Sequence, residues 1–127
     1  MSIKFKVIEK GQPGVAGGGV KKYYASAQSS GEMTLAKLTT QIEKVSTVSG
    51  ADIRAVLYAM VDVMKTAMAD GQIVRLGDLG SLRINIASNG EETAEKVSAK
   101  SIKSARTIFT PGSELKSQLK NLKFEKA

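Results

Sequence analysis

One stretch near the middle of the chain, Ala69 to Ile86, constrains the fold more than any other. A long apolar segment ends at Gly71, and glycine takes the left-handed conformation that follows a last helical turn without a steric penalty. Apolar and polar residues then alternate through residues 73–76 and 81–87, which is typical of half-buried strands. Gly-Asp-Leu-Gly at 77–80 joins the two runs. The stretch therefore predicts a helix followed by a tight antiparallel hairpin.

The alternation also assigns faces to the two strands of this hairpin. Continued across the turn, it groups Arg75 with the apolar Leu82 and Ile84. The same count groups Val74 with Arg83 on the opposite face. We therefore expect one arginine on the apolar side of the predicted sheet.

Two helices are predicted before the hairpin. Thr34 is a candidate N-cap for the first, which runs to Val45, and Ser49 with Asp52 forms a Ser-x-x-Asp capping box for the second, which runs to Asp70. The apolar stripe of the second helix is wider than one packing partner requires, so we expect burial on more than one side. In so small a chain the natural second partner is another copy. The predicted dimer-core residues of this helix are Ile53, Leu57, Met60, Val61, Met64 and Met68.

The first 30 residues predict an additional strand segment. Residues 3–9 alternate apolar and basic side chains, and residues 21–25 are a candidate second strand. The intervening residues 11–19 contain five glycines and one proline, which predicts a loop. We therefore divide the chain into an N-terminal strand-loop-strand extension, residues 1–30, and a domain comprising residues 31–127.

A polar segment of mixed charge, Ser88 to Ser104, separates the hairpin from a last strand at 105–110. Such a segment between two strands is either disordered or a projecting functional arm. Pro111-Gly112 predicts a turn, after which Ser113 is a candidate cap of a final helix. That helix would carry Leu115, Leu119 and Leu122 on one side and Lys116, Lys120 and Lys123 on the solvent side.

The formal net charge of +7 is spread unevenly along the chain. Residues 1–30 carry +4, residues 31–82 carry −1, residues 83–110 carry +2 and residues 111–127 carry +2. A nearly neutral helical centre with basic flanks indicates a polyanionic partner, with nucleic acid the leading candidate. A basic surface that serves only solubility is the alternative.

The residue inventory argues against catalysis. The chain has no cysteine and no histidine, so it lacks thiolate nucleophiles, disulfides, cysteine zinc sites and the commonest general base. We therefore expect no enzyme activity, no cofactor, no metal and no small-molecule substrate. No apolar run is long enough to span a membrane and no signal-peptide core is present, so we expect a cytoplasmic protein that does not bind a membrane.

The element order and three motifs resemble the HU/IHF family of bacterial DNA-bending proteins over residues 34–123. The motifs are Asp70-Gly71, residues 76–82 and residues 108–116. The resemblance implies an α+β fold: a helical hairpin, a three-stranded antiparallel sheet with a projecting β-arm at 88–104, and a short C-terminal helix. It also implies an intertwined homodimer with Phe109 in its core. The N-terminal extension is similar to that of a longer, HU-related histone-like subfamily.

The resemblance implies double-stranded DNA as partner, bound with little sequence preference by a dimer that organises or compacts DNA in the nucleoid. The arm departs from the family pattern, because it contains no proline and its first half is acidic. The family's wedge between base steps is therefore not carried over. Basic side chains near the arm can still meet phosphates. The predicted DNA-binding residues are Arg83, Lys96, Lys100, Lys103 and Arg106, with accessory positions Lys4, Lys6, Lys21, Lys22, Lys116 and Lys120.

The acidic arm leaves a rival hypothesis open. A structural or protein-interaction module could use the same fold with weak or lost DNA binding. A gel shift on random duplex DNA distinguishes the two.

Overall fold

The structure is a computed structural model that describes residues 1–127. It has a mixed α+β architecture with three α-helices and two three-stranded sheets. None of the helices combines the length and the apolar character that a membrane crossing needs.

Local capping signals position the first two helices, α1 (Leu35–Val45) and α2 (Gly50–Ala69). The Thr34 hydroxyl accepts a hydrogen bond from the Lys37 backbone N–H at 3.3 Å, and the Ser49 hydroxyl accepts one from the Asp52 N–H at 3.3 Å. Both predicted N-caps are confirmed, although Asp52 does not return the second bond of a capping box. The chain leaves α2 through Gly71, whose φ of +81° suits glycine.

The sheet after α2 consists of β3 (Val74–Arg75), β4 (Gly80–Ser88) and β5 (Ile102–Pro111), in the antiparallel order β3-β4-β5. β4 and β5 extend further than the alternation predicts, so the polar segment between them shortens to residues 89–101. We call β4 and β5 together the ribbon and residues 89–101 its tip.

Gly80 fixes the corner between β3 and β4. Its φ is +140° and its backbone is buried. A Cβ atom here would collide with the Thr110 carbonyl oxygen and approach the Phe109 ring to 2.9 Å. Only glycine therefore lets β4 lie this close to the end of β5.

The register corrects the predicted faces of the hairpin. Val74 pairs with Leu82 and Arg75 pairs with Ser81, so Arg75 shares the face of Arg83 and not that of the apolar residues. The prediction was wrong because it carried the two-residue count across 77–80, where the chain forms a short 3-10 turn that resets the alternation.

The chain termini form the second sheet, whose order is β2-β1-β6. β1 (Ile3–Lys10) pairs antiparallel with β2 (Lys22–Gln28), as the extension predicts, and parallel with β6 (Phe124–Lys126). Sequence reasoning did not predict β6. Hydrogen bonds from Ile3 N–H to the Lys123 carbonyl, at 2.8 Å, and from Ala127 N–H to the Phe5 carbonyl, at 2.9 Å, extend this pairing.

The last helix, α3 (Ser113–Leu119), differs from the prediction at both ends. Gly112 takes the N-cap position, while the Ser113 hydroxyl donates to the Asp78 carboxylate at 3.5 Å. Ser113 is therefore not the cap, because its side chain reaches the β3–β4 turn instead of the first-turn amides. The helix ends before Leu122 because the chain turns there to reach β6.

One chain buries very little apolar surface. Ile53 is the only apolar side chain that is buried, and the chain exposes 10405 Å². A compact monomer of 13.5 kDa exposes about 6,500 Å². Among the predicted dimer-core residues, Val61 is 52% and Phe109 is 46% exposed, while the others of α2 besides Ile53 are half-buried: Leu57, Met60, Met64 and Met68.

We predict that Gly80→Ala lowers the free energy of unfolding by about 2 kcal/mol or more, because alanine is strained at this φ and collides with β5. Denaturant unfolding at fixed protein concentration measures the change. Gly90→Ala is the matched control, since a Cβ at Gly90 meets nothing within 4 Å and its φ is not positive. Equal stability of the two variants would contradict a steric role for Gly80.

Candidate nucleic-acid interface

One face of the sheet containing the ribbon carries a row of arginines. Asn85 lies opposite Arg106, and Arg83 is two residues before Asn85, so both arginines are on the same face as diagonal neighbours. Such positions are about 7–8 Å apart. Arg75 joins them because its partner Ser81 is two residues before Arg83. All three side chains are exposed and none has a carboxylate within 4.0 Å. We call this surface the arginine face.

An open depression of about 450 Å³ lies at the β3 end of the arginine face. Arg75 and Lys116 line it together with the hydroxyl-bearing Ser81 and Thr110, and no hydrophobic residue contributes to its walls. The structure thus brings the predicted accessory Lys116 close to Arg75, which sequence reasoning had assigned to the apolar face. The signal that could have identified Arg75 is its charge, since a half-buried sheet face rarely holds an unpaired arginine.

The opposite face of the ribbon is apolar. Leu82 pairs with Phe109, and Ile84 and Ile86 continue along this face at two-residue spacing. Ile84 is 42% and Ile86 is 53% exposed, so the isolated chain leaves this face largely uncovered. Arg106 and Phe109, both on β5, therefore point to opposite faces of the ribbon. A ligand on the arginine face does not compete with whatever covers the apolar face.

The tip is an ordered loop built around Ser101. The Ser101 hydroxyl donates to the Glu91 carboxylate at 2.9 Å and accepts from the Ser98 N–H at 3.2 Å. The Asn89 N–H donates to the Ser101 carbonyl at 2.7 Å. Ser101 is 3% exposed although every neighbour in the tip is exposed. The polar segment is thus a projecting structured loop.

Two predicted DNA-binding lysines lie in this tip, where acidic residues outnumber them. Lys96 and Lys100 share the tip with Glu91, Glu92 and Glu95. The Lys96 ammonium lies 3.6 Å from the Glu92 carboxylate, in an exposed ion pair. The tip therefore has a net charge of −1 and offers little attraction to phosphates.

Lys103 occupies an irregularity in the ribbon. Ala87 pairs with Ser104 whereas Ser88 pairs with Ile102, so Lys103 is the extra residue of a β-bulge. A bulge twists the strand and redirects the side chain. Lys103 is exposed at the junction of ribbon and tip. It therefore lies near the arm, where the sequence predicts that basic side chains contact phosphates.

The remaining predicted lysines lie elsewhere. Lys4 and Lys6 are on β1, Lys22 begins β2, and Lys21 precedes it. Lys120 follows α3 as its C-cap. Lys4, Lys6, Lys21 and Lys22 therefore belong to the terminal sheet and its edge, not to the ribbon.

A family model described as an HU domain fused to wHTH, Ig, or glycine-rich motif matches residues 1–126 of the chain. Among solved structures, a proposed bacterial DNA binding protein from Bacteroides vulgatus ATCC 8482 has the same fold, with a TM-score of 0.69 at 13% sequence identity. The match covers 98% of this chain and 48% of that one, so the chain spans about half the length of this structural neighbour. No curated protein matches the chain.

We predict that Ser101→Ala loosens the tip without destabilising the rest of the domain. It removes two hydrogen bonds, one of them to a carboxylate, so amide exchange at Ser98 and protease cleavage within residues 89–101 should accelerate roughly tenfold. The melting temperature should stay unchanged. Ser104→Ala is the control, because Ser104 is exposed on β5 and its side chain makes no hydrogen bond. Unaltered exchange at Ser98 would show that the tip is held by other contacts.

Proposed function

This chain belongs to the family of HU domains fused to wHTH, Ig, or glycine-rich motifs, and from that premise we propose that it binds double-stranded DNA as a homodimer with little sequence preference. The observation that carries the proposal is the arginine face. It presents Arg75, Arg83 and Arg106 in one row without carboxylate partners. Such a row fits a phosphate backbone, to which arginine donates in bidentate geometry.

Phosphate contacts account for affinity without sequence preference. Neutralising phosphates releases condensed counterions, and this contribution is the same for every sequence. Direct reading requires polar groups placed at base edges. On the arginine face the uncharged side chains are short or half-buried, such as Ser81 and Asn85. We therefore expect a DNA-binding protein that organises and compacts duplexes of any sequence.

A second copy of the chain is the proposed cover for the apolar surface. One chain exposes far more surface than a compact monomer of its mass does. The ribbon's apolar face and the side of α2 that carries Val56 and Val63 contribute to this exposed surface. Val56 and Val63 of α2 are 63% and 69% exposed. Burying such side chains contributes roughly 1.5–3 kcal/mol each. Because the arginine face lies on the other side of the ribbon, a dimer formed through the apolar surfaces would leave the arginine face of each chain exposed. The dimer would then carry two arginine faces.

We assign no catalytic role, no cofactor and no small-molecule substrate to the domain. Its proposed location is the nucleoid in a bacterial cytoplasm. Membership of the longer histone-like subfamily with an N-terminal extension, and the division of the chain at residue 30, stay predictions.

The acidic tip supports a second candidate function. Glu91, Glu92 and Glu95 project from the ribbon on an ordered loop, and a basic protein surface would complement them. The domain would then be a protein-interaction module. A gel shift that detects no complex with random duplex DNA at low salt would favour this candidate.

We predict that Arg83→Ala and Arg106→Ala weaken binding to all duplexes alike. Each lost phosphate contact should reduce the slope of log affinity against log salt by about 0.9, and by about twice that in a dimer. Arg75→Ala should behave in the same way. Fluorescence anisotropy across a salt series on two unrelated duplexes measures both effects.

Two further variants serve as controls for this series. Lys96→Ala should change the slope less than Arg83→Ala, because the Lys96 ammonium is paired with Glu92. Lys44→Ala, on α1 away from the ribbon, should leave affinity unchanged. Equal slopes for wild type and the three arginine variants would locate the DNA contacts elsewhere.

We predict that Val61→Glu yields a monomer, because it places a charge at a predicted dimer-core position of α2, 52% exposed in the single chain, that a second copy would bury. Light scattering at micromolar concentration should give a dimer mass for the wild type and a monomer mass for the variant. Val45→Glu is the matched control: Val45 is 84% exposed at the end of α1 and is not part of the predicted dimer core. A monomeric wild type, or a dimeric Val61→Glu, would contradict the prediction.

A further inference from the structure

The terminal sheet presents a second basic surface. Lys4, Lys6 and Lys10 lie on one face of β1, with the half-buried Ile8 between Lys6 and Lys10, and Lys22 joins them because it pairs with Lys10. All four side chains are exposed, and none has a carboxylate within 4.0 Å. We call this surface the lysine face. It belongs to the β2-β1-β6 sheet, whereas the arginine face belongs to the β3-β4-β5 sheet.

The lysine face contains a repulsion that the chain itself does not neutralise. Lys10 and Lys22 lie directly opposite each other, and like charges in this position destabilise a sheet. Lys10 finds partial compensation over the Tyr24 ring, with its ammonium 5.0 Å from the centroid. One carboxylate, Glu125, shares this face opposite Lys4, and it accepts a hydrogen bond from the Ser2 hydroxyl at 2.9 Å. Four lysines against one glutamate leave a net charge of +3.

The geometry of the lysine face suits the backbone of a duplex. Lys4 and Lys6 are two residues apart, about 6.7 Å along the strand, which is close to the rise of two nucleotides on one DNA strand. Proteins that bind single strands expose aromatic rings on which bases stack. Tyr24 is half-buried and already contacts Lys10, so it is not presented as a free stacking platform. The surface therefore favours duplex over single-stranded nucleic acid.

We propose that the lysine face binds a second DNA duplex, so that one protein molecule bridges two duplexes. The inference rests on the proposed function, since the first duplex occupies the arginine face. Charge complementarity selects the occupant: the face is basic, and Glu125 is its one carboxylate. Binding there relieves the repulsion between Lys10 and Lys22 and compacts DNA by linking segments.

A two-duplex capture assay tests the bridging. One biotinylated duplex is immobilised, the wild-type protein is added, and capture of a second, fluorescent duplex is measured. Lys4→Gln with Lys6→Gln in one chain should reduce capture at least about fivefold, through lost phosphate contacts. Affinity for a single duplex, measured by gel shift with DNA in excess, should fall by a smaller factor than capture does, because the arginine face is intact in this variant. Both substitutions replace an ammonium with a neutral amide on a slightly shorter side chain at exposed strand positions, and unchanged melting temperature and mass verify the fold.

The matched control is the double variant Lys37→Gln with Lys44→Gln, which removes the same charge from exposed positions of α1. It should capture the second duplex as the wild type does. Wild-type protein that shifts a single duplex but captures no second one would overturn bridging alone. Capture that survives in the Lys4/Lys6 variant, or a parallel loss of single-duplex binding there, would also overturn it. A wild type that shifts no duplex would instead overturn the proposed function, and bridging with it.

Discussion

The apolar surface that one chain leaves uncovered determines how the rest of this structure can work. Ile53 alone is buried among the apolar side chains, and a domain needs a larger buried core to offset the conformational entropy of folding. Valines of α2 and isoleucines of the ribbon are therefore the surfaces that the proposed second copy would cover with surfaces of matching character. In the proposed homodimer, burial and oligomerisation would be one event, and stability would depend on protein concentration.

Strand alternation connects this apolar requirement to the arginine face. In β4 and β5 every second side chain belongs to the apolar face, which leaves the intervening positions to Arg83 and Arg106, with the half-buried Ile108 opposite Arg83. Leu82 and Phe109 therefore fix where Arg83 and Arg106 point. A one-residue slip of the register would exchange the two faces, burying arginines and exposing the apolar row. Gly80 holds the register at the corner, where any side chain would collide with Thr110.

Sequence reasoning succeeded where the physical signal is local. Thr34, Ser49 and Gly71 act on groups within a few residues, and the face of Arg83 follows from alternation within β4. It failed where the partner is distant or the count is interrupted. The β1–β6 pairing joins residues more than a hundred positions apart, and a three-residue strand after a short helix carries no periodic signal. Arg75 was misassigned because a 3-10 turn separates it from β4, and Ser113 because Asp78 competes for its hydroxyl.

The charge of the tip bears on how the proposed compaction of DNA would proceed. Bending a duplex by 40–90° costs on the order of 1–6 kcal/mol, which additional contacts must offset. A tip with net charge −1, no proline and its Lys96 already paired with Glu92 supplies few of those contacts. The lysine face has unneutralised charge and lies on a different sheet, so the second duplex that we propose there would bind without deformation. The exposed charges of this chain are therefore better suited to linking two unbent DNA segments than to wrapping one bent segment.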